Sequence, residues 1–294
     1  MDNISIIIPT LNRKKELYNT IMFLSSQTLK GFEIIIIDQN KFYDINYYKN
    51  IQKTFKNLSF SIFQQEMPNA SAARNLGAQK AKKNILLFID DDVLIKNKFF
   101  LNNHLKNYKD SKNNIIAGKV IDYPFVKKKR FNYNNFYFFS LNSNNKIYLY
   151  GIGRSCNLSV RKTLYLKLNG MDINFKNGAH KEETDFLFRA KKIKIKVLFV
   201  PDCYLIHLKQ KTGGIRNFNY FKRVFYSMFG DFYFSIKHLF NSNLFWNIIF
   251  FLRRFILNKG SFNIIKLFTN ILIIIPSFLY ALFIFGRKFL ITKK

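Results

Sequence analysis

Residues 85–92 read ILLFIDDD: five apolar residues run directly into Asp90, Asp91 and Asp92. The apolar half has the length of a strand buried on both faces, and such strands belong to parallel sheets covered by helices. The acidic half needs its own reason. The chain has 17 acids among 294 residues, against 48 Lys plus Arg, so three acids in a row are expected by chance about 0.06 times per chain. Adjacent carboxylates repel, and a divalent cation relieves the repulsion. A solvated turn is the competing reading, and the rest of the chain weighs between the two.

Outward from this stretch, strands and helices alternate. Ile4 to Ile8 (ISIII) is a β-branched run ended by Pro9, and Thr10 is expected to cap a helix in which Leu17, Ile21 and Leu24 repeat at i, i+4, i+7. Phe32 to Asp38 (FEIIIID) is a second buried strand, followed by a polar helix near 44–55 and a strand at 58–63. A small-residue helix, ASAARNLGAQKA, precedes the acidic strand; a helix near 99–108 and a strand ending at Asp122 follow it. This order predicts an α/β fold with a mostly parallel sheet and helices on both faces. Ligands of such sheets bind beyond the carboxyl ends of the strands. Three polar clusters share that edge: Pro9-Thr10-Leu11-Asn12-Arg13, Asp38, and Asp90 to Asp92.

A second acidic cluster, Glu182, Glu183 and Asp185, stands in KEETDFLFRAKK. With Glu183 as i, Phe186, Leu187 and Ala190 fall at i+3, i+4 and i+7, which puts Glu183 on the apolar face and the Asp185–Arg189 pair on another. An inward carboxylate is either paired or catalytic. Farther on, VLFVPDCYLIH reads as a strand, Pro201 and a second short strand ending at His207. A lone His is usually structural, but imidazole also ligates divalent ions of the Mn²⁺ kind.

The formal net charge of +31 invites a nucleic acid or an anionic membrane surface, although Lys, Asn, Ile, Phe and Tyr all share AT-rich codons. No zinc spacing, helix-turn-helix cue or RNA-binding signature is present, and an acidic rim repels phosphate unless a metal intervenes. No nucleic-acid partner is therefore expected. Cys156 and Cys203 make no disulfide framework or metal-spaced pair, which fits a reducing compartment, and MDNISIIIPT is no secretory signal. Residues 122–150, with the basic run Lys127 to Arg130, read as a loop or hairpin beside an acceptor, or equally as a solvated surface loop.

Charge is distributed unevenly. From Cys203 to Lys294 there are 14 Lys or Arg and a single acid, Asp231. Leu267 to Phe285 is a 19-residue stretch without charge, about 28 Å long as a helix against a hydrocarbon core of about 30 Å. Pro276 sits in its middle, and both flanks are basic, with Lys266 before and Arg287 after. A single span, a re-entrant or interfacial hairpin and a soluble helical cap all remain open. The expected organisation is a catalytic domain over 1–214 and a basic aromatic helical tail, membrane-associated or re-entrant, over 215–294.

Taken in order from about Ile4 to Gly214, these motifs resemble family 2 glycosyltransferases of the GT-A fold. SIIIPTLNR is similar to the family's opening strand and nucleotide-cradling turn, and IIIIDQN to the second strand, whose terminal acid, here Asp38, holds the base. NASAARNLGAQKA resembles the Ala-Arg-Asn-x-Gly helix, with Arg74 near the diphosphate. LLFIDDDV resembles the Asp-x-Asp metal signature, KEETDFLFRA the element supplying the catalytic base, and VPDCYLIHLKQKTGG the segment whose His completes the metal shell. Three positions depart from the pattern: Asp38-Gln39-Asn40 replaces Asp-Asp-Gly, Glu183 stands where Asp is usual, and the Gly-Phe-Asp turn reads Gly170-Met171-Asp172.

The resemblance implies an inverting transferase that moves a sugar from a nucleoside-diphosphate-sugar, UDP- or dTDP-linked, to a hydroxyl of a glycan or lipid-linked acceptor in cell-surface polysaccharide synthesis. Pro9, Thr10, Asn12, Arg13, Asp38, Arg74, Asp90 and Asp91 would hold the donor. Asp92 and His207 would hold Mn²⁺ or Mg²⁺, and Glu183 would act as base. The basic tail would place the enzyme at the cytoplasmic face of the plasma membrane. A nucleotidyltransferase on a similar sheet is the rival enzyme, and it would release diphosphate instead of a nucleoside diphosphate.

Overall fold

A computed structural model describes residues 3–124, 143–177, 180–210, 212–214, 219–238 and 264–291. The run Lys127 to Arg130 lies outside them, as do Arg253, Arg254 and Lys259. The chain divides into two units: 1–172 with 183–214, and 173–182 with 215–294.

The first unit is built on one sheet. Strands β1 (Ile4–Thr10), β2 (Glu33–Asp38), β3 (Ser59–Gln64) and β4 (Ile85–Ile89) are parallel in the order β3-β2-β1-β4. The β-branched runs drive this arrangement. Ile4, Ile6, Ile7 and Ile8 are wholly buried, as are Ile34 to Ile37 and Ile85 to Ile89, and each fully buried Ile contributes roughly 1.5–3 kcal/mol. Beyond β4 the sheet becomes mixed. Strand β8 (Asn157–Arg161) is antiparallel to β4 and to β6 (Ile115–Asp122), and β9 (Val197–His207) lies parallel to β6. Two short strands, β5 (Val93–Leu94) and β7 (Ile147–Leu149), pair antiparallel with β9.

Helices supply the cover. Helix α1 (Lys14–Ser25) buries Leu17, Ile21 and Leu24 as its periodicity predicts. Its N-cap is Arg13, with no side-chain cap, so the expected capping by Thr10 is wrong. Thr10 belongs to β1, and its hydroxyl is spent on Asp91. Helix α2 (Ile45–Thr54) is capped by Asp44, which accepts from the Tyr47 N–H. Helix α3 (Ala70–Lys80) is capped by Asn69 and lays Ala73, Gly77 and Ala78 on the sheet. A Cβ at Gly77 would collide with the Ile7 side chain, so this glycine permits the close helix–strand approach. Helices α4 (Phe100–Lys106), α5 (Lys162–Lys167) and α6 (Glu182–Lys192) follow.

Two expectations change here. The predicted break at Pro201 is absent: β9 is continuous, and Pro201 falls in a bulge between Val200, paired with Gly118, and Leu205, paired with Val120. A bulge tolerates the missing N–H. In α6 the buried face carries Thr184, Asp185, Phe186, Leu187, Phe188 and Ala190, while Glu183 is partly exposed. Asp185 can be buried because Arg189 Nε donates to it at 2.9 Å, and the same guanidinium donates to the carbonyls of Leu168 and Gly170.

The second unit contains α7 (Tyr220–Lys237) and α8 (Ile264–Ile291). They pack through Val224, Met228 and Ile273, and the ring of Tyr280 lies 5.0 Å from that of Phe229. Helix α8 buries Ile273, Ala281 and Ile284 but, unlike a soluble amphipathic helix, also exposes a broad apolar face. Its buried positions include Asn270 and Ser277, and the Tyr220 hydroxyl donates to Asn270 at 3.0 Å. Its exposed positions are apolar, with Phe268, Leu272, Ile275 and Phe283 each more than half exposed. The helix runs through Pro276, and its window Lys266–Arg287, with mean hydropathy 2.2, is long and apolar enough to cross a membrane.

Candidate functional site

Sheet topology gathers the predicted residues of the first unit. The carboxyl ends of β1, β2 and β4 present Thr10, Asp38 and Asp90 on one edge. His207 comes from β9, whose pairing sets it beside Val93 of β5 and Asp122 of β6. The backbone ties Asp92 to the segment after β9: its carbonyl accepts from Leu208 N–H at 2.9 Å and its Oδ2 from Gln210 N–H at 3.1 Å.

The three adjacent aspartates have separate duties. Asp91 turns inward, 4% exposed; its carboxylate accepts from the Thr10 hydroxyl at 2.8 Å and from Arg13 Nη1 at 2.9 Å. Burial pushes it up to about 7 despite the opposing charge of Arg13. Asp90 receives Arg74 Nη2 at 3.0 Å. Asp92 is buried, which works to raise its pKa, but the hydrogen bond and charge of His207 and the charge of Arg13 prevail and hold it at about 2.

Asp90, Asp92 and His207 form a ligand set. One oxygen from each carboxylate and a ring nitrogen of the His lie within 4.8 Å of one another. His207 Nε2 is 3.2 Å from Asp92 Oδ1 and 3.6 Å from Asp90 Oδ2. Ligand atoms about 2.1 Å from one ion are roughly 3.0 Å apart as octahedral neighbours and 4.2 Å when opposite, so the three fit one Mg²⁺ or Mn²⁺ after small shifts. Burial would lower the pKa of His207, but the carboxylates of Asp122, Asp92 and Asp90 raise it to about 9. Asp90, expected with the donor, also lies within reach of a metal that Asp92 and His207 could hold, while the Asp91 carboxylate is bonded to Thr10 and Arg13.

The remaining predicted residues take distinct places. Asp38 is buried, 1% exposed, and its Oδ1 accepts from the backbone N–H of Asn40 at 2.8 Å. Asn40 in turn accepts from the N–H of Asn12, which has the left-handed φ of 56°. Pro9 closes β1 in register with Ile37. Arg13 also donates to the Thr212 carbonyl, and Gly213, at φ 75°, leaves room that a Cβ would take from the Arg13 side chain. Glu183 has no hydrogen-bond or ion-pair partner among the described residues, in contrast with Asp185. Burial raises the Cys156 thiol pKa, and Asp90 and Glu183 both add to that shift, so Glu183 shares the surroundings of the acidic cluster.

Sequence reasoning overlooked Asp122, Arg154 and Lys209. Asp122 accepts from Arg154 Nη1 at 2.8 Å and Lys209 Nζ at 2.9 Å, and its Oδ1 is 3.6 Å from His207 Nδ1. Its signal was present: it is the last residue of a strand, like Asp38.

Residues 5–168 match the family described as Glycosyl transferase family 2. The chain belongs to this family. Among curated relatives of this glycosyltransferase, the poly(ribitol-phosphate) β-N-acetylglucosaminyltransferase TarP of Staphylococcus aureus is 33% identical over 123 residues, 40% of this chain and 37% of TarP. The GalNAc(5)-diNAcBac-PP-undecaprenol β-1,3-glucosyltransferase of Campylobacter jejuni is 30% identical over 93 residues, 31% of this chain and 30% of that enzyme. The match thus spans about a third of each relative's length. Among solved structures, residues 1–349 of S. aureus TarS superpose with TM-score 0.65 at 15% identity, covering 95% of this chain and 80% of that one. The mannosyltransferase PcManGT of Pyrobaculum calidifontis, in complex with GDP-Man and Mn²⁺, superposes with TM-score 0.61 at 14% identity, covering 96% and 74%. The fold is GT-A.

Proposed function

We propose that this glycosyltransferase is metal-dependent and inverting, and that it moves a sugar from a UDP- or dTDP-sugar to a hydroxyl of a glycan or lipid-linked acceptor in cell-surface polysaccharide synthesis. The observation that carries the reading is the convergence of Asp90, Asp92 and His207 at the carboxyl edge of the sheet, beside Arg74 and Arg13. TarS has been solved with UDP-GlcNAc and with UDP, and the Campylobacter relative is named for an undecaprenol-linked substrate; both support the donor and acceptor classes.

A divalent ion on Asp90, Asp92 and His207 would act as a Lewis acid toward the diphosphate leaving group. Arg74 adds fixed positive charge to the same side. Asp38, Asn12 and the Pro9–Thr10 end of β1 shape the nucleotide end. Glu183 takes the proton of the acceptor hydroxyl as its oxygen attacks the anomeric carbon. The carbon–oxygen bond to the diphosphate breaks, and its electron pair leaves with the nucleoside diphosphate. A single displacement with a single base inverts the anomeric centre.

The domain division follows from the same reading: residues 1–214 carry the chemistry and 215–294 carry attachment to the cytoplasmic face of an anionic membrane. The exposed apolar face of α8, with its Asn270 and Ser277 turned inward, supports a lipid-facing surface. Twelve Lys or Arg against the single acid Asp231 over 215–294 favour anionic headgroups over a second, equally basic copy.

The test is a screen of nucleotide-sugars for slow hydrolysis and transfer with Mn²⁺ or Mg²⁺. A released nucleoside diphosphate, abolished by chelation and restored by metal, is the expected product. Release of inorganic diphosphate, or full transfer in chelator, refutes the reading.

A further inference from the structure

The imidazole of His207 lies between two groups of carboxylates. Nε2 faces Asp92 and Asp90, and Nδ1 faces Asp122 and Arg154. We infer that Asp122 is a positioning residue for the metal site: it holds the proton of His207 on Nδ1 and so presents Nε2 as the ligand. This rests on the metal reading above.

A neutral imidazole carries one N–H, so a His that ligates through Nε2 must be protonated at Nδ1. That N–H needs an acceptor. Arg154 Nη2 is 3.2 Å from Nδ1, but a guanidinium can only donate. The Asp122 carboxylate, with Oδ1 3.6 Å from Nδ1, is the acceptor group facing that nitrogen, and a shift of about 0.6 Å brings it to hydrogen-bond distance. Its position is fixed three times over. Asp122 and His207 are register partners in the parallel β6–β9 pair, and Tyr123 N–H donates to the His207 carbonyl at 2.9 Å. Side chains in register on adjacent strands share a face. Arg154 at 2.8 Å and Lys209 at 2.9 Å then anchor the carboxylate itself. When Asp122 accepts from Nδ1–H, Arg154 Nη2 gives up its 3.2 Å contact with that nitrogen, and Nη1 keeps its bond to the same carboxylate.

Outer carboxylates of this kind orient a ligating His and strengthen it as a donor, and their removal weakens metal binding by about 10–100-fold. A purely structural Asp122 would cost folding stability without a specific effect on the ion.

The experiment measures Mn²⁺ affinity of the full-length protein by electron paramagnetic resonance, with melting temperature recorded alongside. Asp122→Asn is expected to weaken Mn²⁺ binding by about 10–100-fold, Asp122→Glu to recover part of it, and Asp122→Asn on a His207→Asn background to add no further loss. Equal Mn²⁺ affinity in wild type and Asp122→Asn overturns the inference while leaving the metal reading intact, and so does an Asp122→Asn effect of the same size in the His207→Asn background. A wild type that binds no Mn²⁺ overturns both. If Asp122→Asn does not fold, ¹⁵N NMR of the wild type with diamagnetic Mg²⁺ replaces it: the His207 proton on Nδ1 supports the inference, and the proton on Nε2 refutes it.

Discussion

Two carboxylates two residues apart on α6 should answer mutation in opposite ways. Glu183 is partly exposed and has no described partner, so Glu183→Gln, nearly isosteric, should change stability by no more than about 0.5 kcal/mol. Loss of a general base should slow transfer by about 10²–10⁴-fold, or roughly 3–5 kcal/mol in the barrier. Donor binding should persist. Asp185 is fully buried against Arg189. Breaking a buried pair costs about 3–5 kcal/mol; because Arg189 is partly exposed and keeps two carbonyl acceptors, a smaller cost of roughly 2–3 kcal/mol is expected for Asp185→Asn, a melting point several degrees lower. Turnover of the folded fraction should be largely kept. The assay pairs isothermal titration of donor with product formation and thermal unfolding for both variants. Normal turnover of Glu183→Gln, together with an inactive Asp185→Asn that melts like wild type, would refute the assignment of the base.

Gly77→Ala should destabilise by about 1–3 kcal/mol, because its Cβ meets Ile7; an unchanged melting point would contradict the close α3–β1 packing. His104 is buried between Ser159 and Asn157, and burial lowers its pKa from 6.5 to about 4. The unfolded chain therefore binds the extra proton between pH 6.5 and 4, so this group's contribution is present above 6.5 and falls as pH drops through that window, by about 3 kcal/mol. Urea midpoints at pH 4.5 and 7 should differ less for His104→Gln than for wild type, and an equal difference excludes the role. Changing Leu272, Ile275 and Phe283 together to Ser should move the protein from sedimenting membranes to the supernatant while donor hydrolysis is retained; sedimentation as before would remove α8 from the attachment surface.

Much of the first unit could be read from residues alone. Short Ile and Leu runs bounded by turn residues and alternating with helical patterns read as doubly buried strands, and their acidic or polar ends fall on one edge by topology. The same logic placed Thr10, Asp38 and Asp90 on one edge, while Arg74 and His207 were brought to it by the family resemblance. What failed depended on partners that periodicity cannot see. The phase of α6 was misjudged because Arg189, with two backbone acceptors, makes burial of Asp185 affordable. Thr10 was assigned to a cap because its hydroxyl's true partner, Asp91, is 81 residues away. Asp122 was passed over because its neighbours come from the segment before β8, from β9 and from the segment beyond it. The exposed apolar face of α8 was invisible because composition reports how apolar a helix is, not which side its Asn270 and Ser277 face.

The bulge in β9 has a consequence for how the chain can change length. Between Val200 and Leu205 the strand carries four residues where β6 carries one, Lys119. His207 follows two residues later, held in register with Asp122 and Val93. Side chains alternate faces along a strand, so gaining or losing one residue in the paired stretch after the bulge would turn His207 to the opposite face of the sheet. A change within 201–204 could be absorbed by the bulge itself. The segment thus works as a short bulge followed by a fixed ruler: insertions are better tolerated at Pro201 and the exposed Asp202 than at the buried Cys203, and are ruinous from Leu205 to His207, a boundary that a scan of single-residue insertions would draw directly.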